Sequence, residues 1–432
     1  MPRSFRAVPH PHQVDRTQHL VHVDRTRHHE QARNPDAATR LCAPRRADGT
    51  TASRPRLPRR TRRSGRPGRP TPFSPRLKAR SSAFEAAAIR GRREVDHVHS
   101  PALGVPLTAT TCVLGRSRVN STGFASAHDR ARGLFTGVGL GDAMGAPFEG
   151  KPSVSELTLR EFEHSNHQLR YTDDTALTIA VAKHLLERAR LGGHLLDEGE
   201  LAAALACAWN REPWRGFATS AADLFGQLNS GVPWRDAAVS MFRGQGSFGN
   251  GAAMRCAPVA LAAQSAHHAA ELGRRAASVT HGHPDGQEGA AVQACSAYLA
   301  LHTRGSLDPE SFLRKLAHVI HEPGWVRRLQ AVAAQLGHRD PHRAAEELGN
   351  DVRATHSVPL ALWAFLGHAE SPVDVVRQCI RAGGDTDTIA SMAAALTGAM
   401  RGAAGWPQSW LRRLEGLHRL HDLGDQLARL SP

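Results

Sequence analysis

At 432 residues the chain could hold two or three domains, and a net charge of +15 invites a nucleic-acid partner. The distribution of charge excludes that inference for most of the chain. Residues 1–128 carry 25 Lys or Arg against 8 Asp or Glu, while the remainder carries 30 against 32 and holds all seven Trp and both Tyr. The positive balance belongs to a tail, and the near-neutral part has no electrostatic claim on a polyanion.

No apolar run is long enough to span a bilayer and the start lacks the apolar stretch of a signal peptide, so no membrane association is expected. The six cysteines form no CxxC pair and no regular framework, which predicts a reducing, cytoplasmic location.

Residues 1–128 alternate Arg, His, Pro and small residues, with too little apolar surface to offset the entropy of ordering. They are expected to lack stable structure. A basic arm that binds nucleic acid or an acidic surface is a competing reading, but the segment has no Trp or Tyr and only four scattered Phe among its charges. A third is a start codon assigned too early, the true start being a non-Met codon such as that of Val105 or Val119. Folded sequence is expected over 129–432.

From Gly133 glycine recurs at Gly137, Gly141 and Gly145. On a helix this spacing lines one face and lets another backbone approach closely. Gly145 to Lys151 mimics a GxxxxGK phosphate loop. Pro152 stands where Ser or Thr should be, Glu149 would place a negative charge in the cradle, and a helix precedes it, so a nucleotide triphosphate site is rejected. Next, Thr172-Asp173-Asp174-Thr175 feeds apolar residues at helical spacing, Leu177, Val181 and Leu185.

Three glycines and Asn250 make Gly246-Ser247-Phe248-Gly249-Asn250-Gly251 a loop whose N–H groups can approach a phosphate. Taken as an ordinary connection, it would leave Arg255 solvated. Thr280-His281-Gly282-His283-Pro284 reads as a turn before a helix, because no third ligand supports a metal pair of His281 and His283. Finally Gly383-Gly384-Asp385-Thr386-Asp387-Thr388 runs into the apolar segment from Ile389. One such acidic cluster is a helix cap; two, far apart in sequence, supply enough hard oxygen ligands for a pair of divalent cations, as two-metal hydrolysis requires. No convincing β-alternation follows residue 128, so the folded part is expected to be all-α.

These five motifs, Gly141 to Glu149, Thr172 to Thr175, Gly249 to Arg255, Thr280-His281 and Gly383 to Thr388, resemble in order and company those of the ADP-ribosylglycohydrolases, the family of dinitrogenase reductase-activating glycohydrolase. The resemblance covers about residues 130–420. It implies a compact orthogonal helical bundle around a binuclear Mg²⁺ or Mn²⁺ centre held by Thr172, Asp173, Asp174, Asp385, Asp387 and Thr388. Glu149 is implied as the catalytic acid/base. Gly246, Ser247, Phe248, Gly249 and Asn250 are implied to cradle the diphosphate and adjoining ribose, with His281 near the same region; Phe248 stands where some relatives have Tyr.

The implied activity is removal of ADP-ribose from a protein side chain or a small ADP-ribosyl conjugate. The rivals are a non-catalytic, crystallin-like binding relative and a hydrolase of another nucleotide-sugar metabolite. Without heptads or exposed apolar strands, a monomer is expected.

Overall fold

The computed structural model describes residues 125–430 apart from Gly193. The expectations for the basic tail, including the alternative start, lie outside the described residues except at 125–128.

Helices follow one another without a strand among the described residues; two isolated bridges pair Leu169 with Leu414 and Gly249 with Arg353. They are α1 Ala127–Gly145, α2 Glu156–His164, α3 Asp173–Leu191, α4 Glu198–Arg211, α5 Thr219–Asn229, α6 Trp234–Gly244, α7 Val259–Ala262, α8 Ala266–Ser278 and α9 Pro284–His302. Then come α10 Pro309–Ala317, α11 Pro323–Gln335, α12 Pro341–Leu348, α13 Ala354–His368, α14 Pro372–Ala382, α15 Thr386–Arg401, α16 Gln408–Leu411 and α17 Leu417–Ala428. The all-α expectation holds.

Local chemistry sets many of these boundaries. Five helices open with Pro at the first position, behind His283, Asp308, Glu322, Asp340 and Ser371, whose side chains each accept from a first-turn N–H. Proline there gives up a donor that would lack an intrahelical partner anyway, and its fixed φ suits the helix. Ser126 caps α1 by accepting from Asp129 N at 3.1 Å.

The molecule is built around α15. Every residue from Thr386 to Met400 is buried. Its closest neighbour is α1, through the glycine stripe. A Cβ on Gly133, Gly137 or Gly141 would fall against the carbonyl oxygens of Gly398, Ala394 and Ala390, and one on Gly145 would lie 2.5 Å from Asp387 Cα. The partners step back one turn at a time, so the helices run antiparallel with backbones in contact, as the spacing predicts. This contact matters for function because it sets the C-terminal end of α1 beside the N-terminal end of α15. Around the pair, α13 buries Trp363 and Phe365, and α11 adds Trp325. Each such side chain contributes roughly 1.5–3 kcal/mol relative to exposure.

Candidate metal centre and anion-binding loop

Three chain segments bring carboxylates together. The first is the end of α1, with Asp142, followed by a 3₁₀ turn over Ala146–Phe148 that delivers Glu149. The second is the start of α3, where Thr172 is the N-cap and Asp173 and Asp174 form the first turn. The third is the start of α15, where Asp385 is the N-cap and Asp387 lies in the first turn. Helix N-termini tolerate negative charge because their unpaired N–H groups and dipoles face it.

Asp142 is the residue that the motif reading passed over as a ligand. It is fully buried, and its carboxylate accepts from Thr172 N at 2.9 Å, Thr172 Oγ1 at 2.8 Å, Thr175 N at 3.0 Å and Thr175 Oγ1 at 2.6 Å. Thr172 does not cap α3 with its own side chain; Asp142 does so from another helix. The signal that could have found it is its place three residues before Gly145, on the helix face that meets α15.

Carboxylate oxygens of Asp142, Asp174 and Asp387 lie within 4.8 Å of one another, as do those of Glu149, Asp385 and Asp387. Asp387 belongs to both groups. Asp173, also expected as a ligand, belongs to neither. The hydroxyls of Thr172 and Thr388 both reach Asp174 Oδ2 at 3.3 Å, so the two threonines do enter the cluster. A hydroxyl that donates to a carboxylate keeps a lone pair for a cation.

Burial, and then mutual repulsion, raises the pKa values of Asp174, Asp385 and Asp387. Asp174 is pushed well up, first by burial and then by Asp142, Asp387, Asp173 and Asp385. Burial followed by Asp387 raises Asp385, and burial followed by Glu149 and Asp142 raises Asp387. Asp174 Oδ1 is buried without a hydrogen-bond partner, a defect worth about 1–3 kcal/mol. Crowded acidic oxygens and an orphaned acceptor call for positive charge, and an all-oxygen donor set suits Mg²⁺, Mn²⁺ or Ca²⁺. The residues fit divalent cations.

The glycine loop adjoins this cluster. Of its five expected binding residues, Gly246 donates its N–H to Met241 O, Gly249 to Ser247 Oγ and Asn250 to Val352 O. Ser247 and Phe248 have backbone N–H groups with no partner among the described residues. Asn250 sends its amide away from the loop, to Asp385 Oδ2 at 2.5 Å and Ser357 Oγ at 3.0 Å. It links loop and carboxylates instead of lining the loop opening. The Phe248 ring is 36% exposed, with its centroid 6.1 Å from that of Phe242 and 5.6 Å from that of His283.

His281 is buried beside the loop, whereas His283 caps α9, so the two do not form a metal pair. Arg255, which an ordinary connecting loop would leave solvated, is only 2% exposed.

Two glycines hold the halves in register. Gly383 and Gly384 have φ of +72° and +77°, and Gly384 exchanges backbone hydrogen bonds with the Glu149 segment: its N–H donates to Lys151 O at 2.7 Å, and its carbonyl accepts from Gly150 N at 2.8 Å. Asp385 N donates to Asn350 O at 2.8 Å. A side chain on Gly384 would strain the backbone and collide with Asn350 Cγ at 2.7 Å.

The all-α domain gathers shared carboxylates beside a loop of backbone donors, and its similarity to named ADP-ribosylhydrolases makes it a glycosyl-bond hydrolase. A family model described as ADP-ribosylglycohydrolase matches residues 124–432, and the chain belongs to that family. It is 32% identical over 349 residues to ADP-ribosylhydrolase ARH3 of Xenopus tropicalis, covering 71% of this chain and 97% of the relative. The human ADP-ribosylhydrolase ARH3 is 30% identical over 71% of this chain and 95% of its own length. The ADP-ribosyl-[dinitrogen reductase] glycohydrolase of Rhodospirillum rubrum is 25% identical over 67% and 92%. A solved structure described as an ADP-ribosylglycohydrolase-related protein complex aligns with a TM-score of 0.55 and 26% identity, covering 71% of this chain and 99% of that one. No helix among the described residues is long and apolar enough to cross a membrane.

Proposed function

We propose that the protein removes ADP-ribose from an ADP-ribosylated protein side chain or a small ADP-ribosyl conjugate, with two divalent cations, Mg²⁺ or Mn²⁺, as cofactors. The observation that carries this reading is the pair of carboxylate groups sharing Asp387 and tied through Asn250 to the glycine loop. A sugar linked to a diphosphate needs both surfaces at once.

Asp174, Asp385 and Asp387 would hold the cations, with Thr172, Thr388 and Asp173 completing the set and Asp142 orienting the α3 end. Bound there, the cations would supply positive charge that orients ribose hydroxyls and makes a water more acidic. Cleavage of the ribosyl bond develops positive charge at the anomeric carbon, as in glycoside hydrolysis. Glu149 stands at the rim of the cluster, half-buried, where its carboxylate can take a proton from the attacking water and return one to the leaving group. The N–H groups of Ser247 and Phe248 would bind the diphosphate, and the exposed Phe248 ring offers a stacking face. In this reading the protein is cytoplasmic and acts as a monomer.

The test is release of ADP-ribose by the full chain from arginine-linked, serine-linked and acetyl-linked conjugates, with Mg²⁺, with Mn²⁺ and with chelator. Metal-dependent release from one linkage supports the reading and names the leaving group. ADP-ribose binding without release from any of them would favour the crystallin-like alternative and overturn the hydrolase.

A further inference from the structure

A cation with no carboxylate among its hydrogen-bond partners lies under the glycine loop. Arg255 donates Nη1 to Gly251 O at 2.6 Å, and Nη2 to Ala276 O at 3.2 Å and Thr280 Oγ1 at 2.6 Å, while its Nε has no partner. All of its acceptors are neutral, and no ion pair involves it among the described residues. Burial lowers its pKa to about 10, with the Cys256 thiol and the Asp173 carboxylate pulling the other way without forming an ion pair, so it stays charged at neutral pH. A buried charge of this kind is costly unless an opposite charge compensates it.

The acceptors of Arg255 lead to a histidine. Thr280 Oγ1 has one proton and two candidate acceptors, His281 Nδ1 at 2.7 Å and Ala277 O at 3.5 Å. Arg255 can only donate, so it takes one lone pair of the hydroxyl and leaves the hydroxyl proton for the nearer acceptor, Nδ1. The ring proton of neutral His281 then sits on Nε2. That edge packs against the loop: a Cβ on Gly251 would lie 3.6 Å from Nε2 and one on Gly249 4.0 Å from it. Nε2 meets no hydrogen-bond partner among the described residues. Gln287 Nε2 donates to His281 O at 2.8 Å and fixes the backbone from α9. Burial, with Arg255 adding repulsion, pushes the His281 pKa down to about 3, which keeps the ring neutral across the physiological range.

We propose that Arg255 and Thr280 are positioning residues that hold His281 as an Nε2–H donor toward an anion on the 246–251 loop, with Arg255 supplying the buried charge that such an anion balances. The anion's class is a phosphate or diphosphate, and this extends the reading of the loop as a diphosphate cradle. A purely structural Arg255, present only to satisfy the C-terminal carbonyl of α8 and the Gly251 carbonyl, would have no use for the tautomer.

Two measurements on the full chain with bound Mg²⁺ test it. The first is the long-range ¹H–¹⁵N spectrum of histidine-labelled protein, with His281 assigned by comparison with His281→Asn. It should show the proton on Nε2; a proton on Nδ1 overturns the proposal whatever the protein binds. The second is calorimetric titration of Thr280→Val and Thr280→Ser with inorganic pyrophosphate, ADP-ribose and adenosine. Thr280→Val should weaken the two anionic ligands about tenfold and leave adenosine unchanged, with Thr280→Ser restoring wild-type affinity. Unchanged pyrophosphate binding in Thr280→Val, or an equal loss for adenosine, overturns the relay. Wild-type protein that binds neither anion defeats the cradle reading and this inference with it, whereas pyrophosphate binding without ADP-ribose binding defeats only the ADP-ribose assignment.

Discussion

The carboxylate cluster and the glycine loop handle opposite charges by opposite means. In the cluster, five acidic side chains from three segments stand close enough to repel, and helix N-termini, threonine hydroxyls and the Asn250 amide hold them there. In the loop the donors are backbone N–H groups and a neutral histidine, with one buried guanidinium beneath them. The cluster lacks positive charge and the loop lacks negative charge. A diphosphate sugar with divalent cations would satisfy both, and Asn250 and the Gly383–Gly384 turn keep the two deficits adjacent.

The largest effect should come from separating the helices that carry the cluster. Gly141→Val would drive a branched side chain into the Ala390 carbonyl on α15 and should prevent stable folding, seen as loss of a cooperative thermal transition. Gly367→Ala, on α13 with open space around it, should shift stability by no more than about 1 kcal/mol. Glu149→Gln tests chemistry without disturbing the loop: turnover should fall about 100-fold or more while ADP-ribose still binds, and near-normal turnover would remove Glu149 from the proton-transfer role.

Asp142→Asn keeps shape but replaces an acceptor of four donated bonds with a group that is half donor. It should cost about 1–3 kcal/mol of stability and weaken Mn²⁺ binding in calorimetric titration. Unchanged affinity would confine Asp142 to a scaffold role. The mildest effect is a pH dependence. Because Asp174, Asp385 and Asp387 have raised pKa values in the folded state, their neutral forms favour folding below the ordinary carboxylate pKa. That contribution is lost as pH rises through the folded values. The gain in Tm on adding Mn²⁺ to chelator-treated protein should therefore be small at pH 5 and larger at pH 8. An equal gain at both values would show that the cation does not bind these groups.

Much of this was legible because it is local. The glycine stripe names its own helix face, and the two acidic clusters announce helix starts by composition alone. Asp142 was barely legible as a site residue, since its donors lie 30 and 33 positions away and its one local sign is its place three residues before Gly145 on a small-residue helix. The partner of the Asn250 amide is 135 positions away, so a loop motif suggested a phosphate contact where the fold makes a link to Asp385. Arg255 followed a glycine loop and would ordinarily be solvated; packing of the loop between α8, α9 and the 349–353 segment buries it.

By itself the sequence determined which residue types stand at which helix ends: carboxylates and threonines where N–H groups are unpaired, glycines where backbones touch, prolines where helices begin. Those are consequences of φ/ψ preference, side-chain volume and hydrogen-bonding capacity, all readable over a few residues. Only the tertiary structure decided which end faces which. It joined α1, α3 and α15 at one point, turned Asn250 toward Asp385, and placed Arg255 behind His281. Such pairings depend on how buried surfaces fit together over the whole domain, and no local pattern encodes the distance between two carboxylates that are hundreds of residues apart.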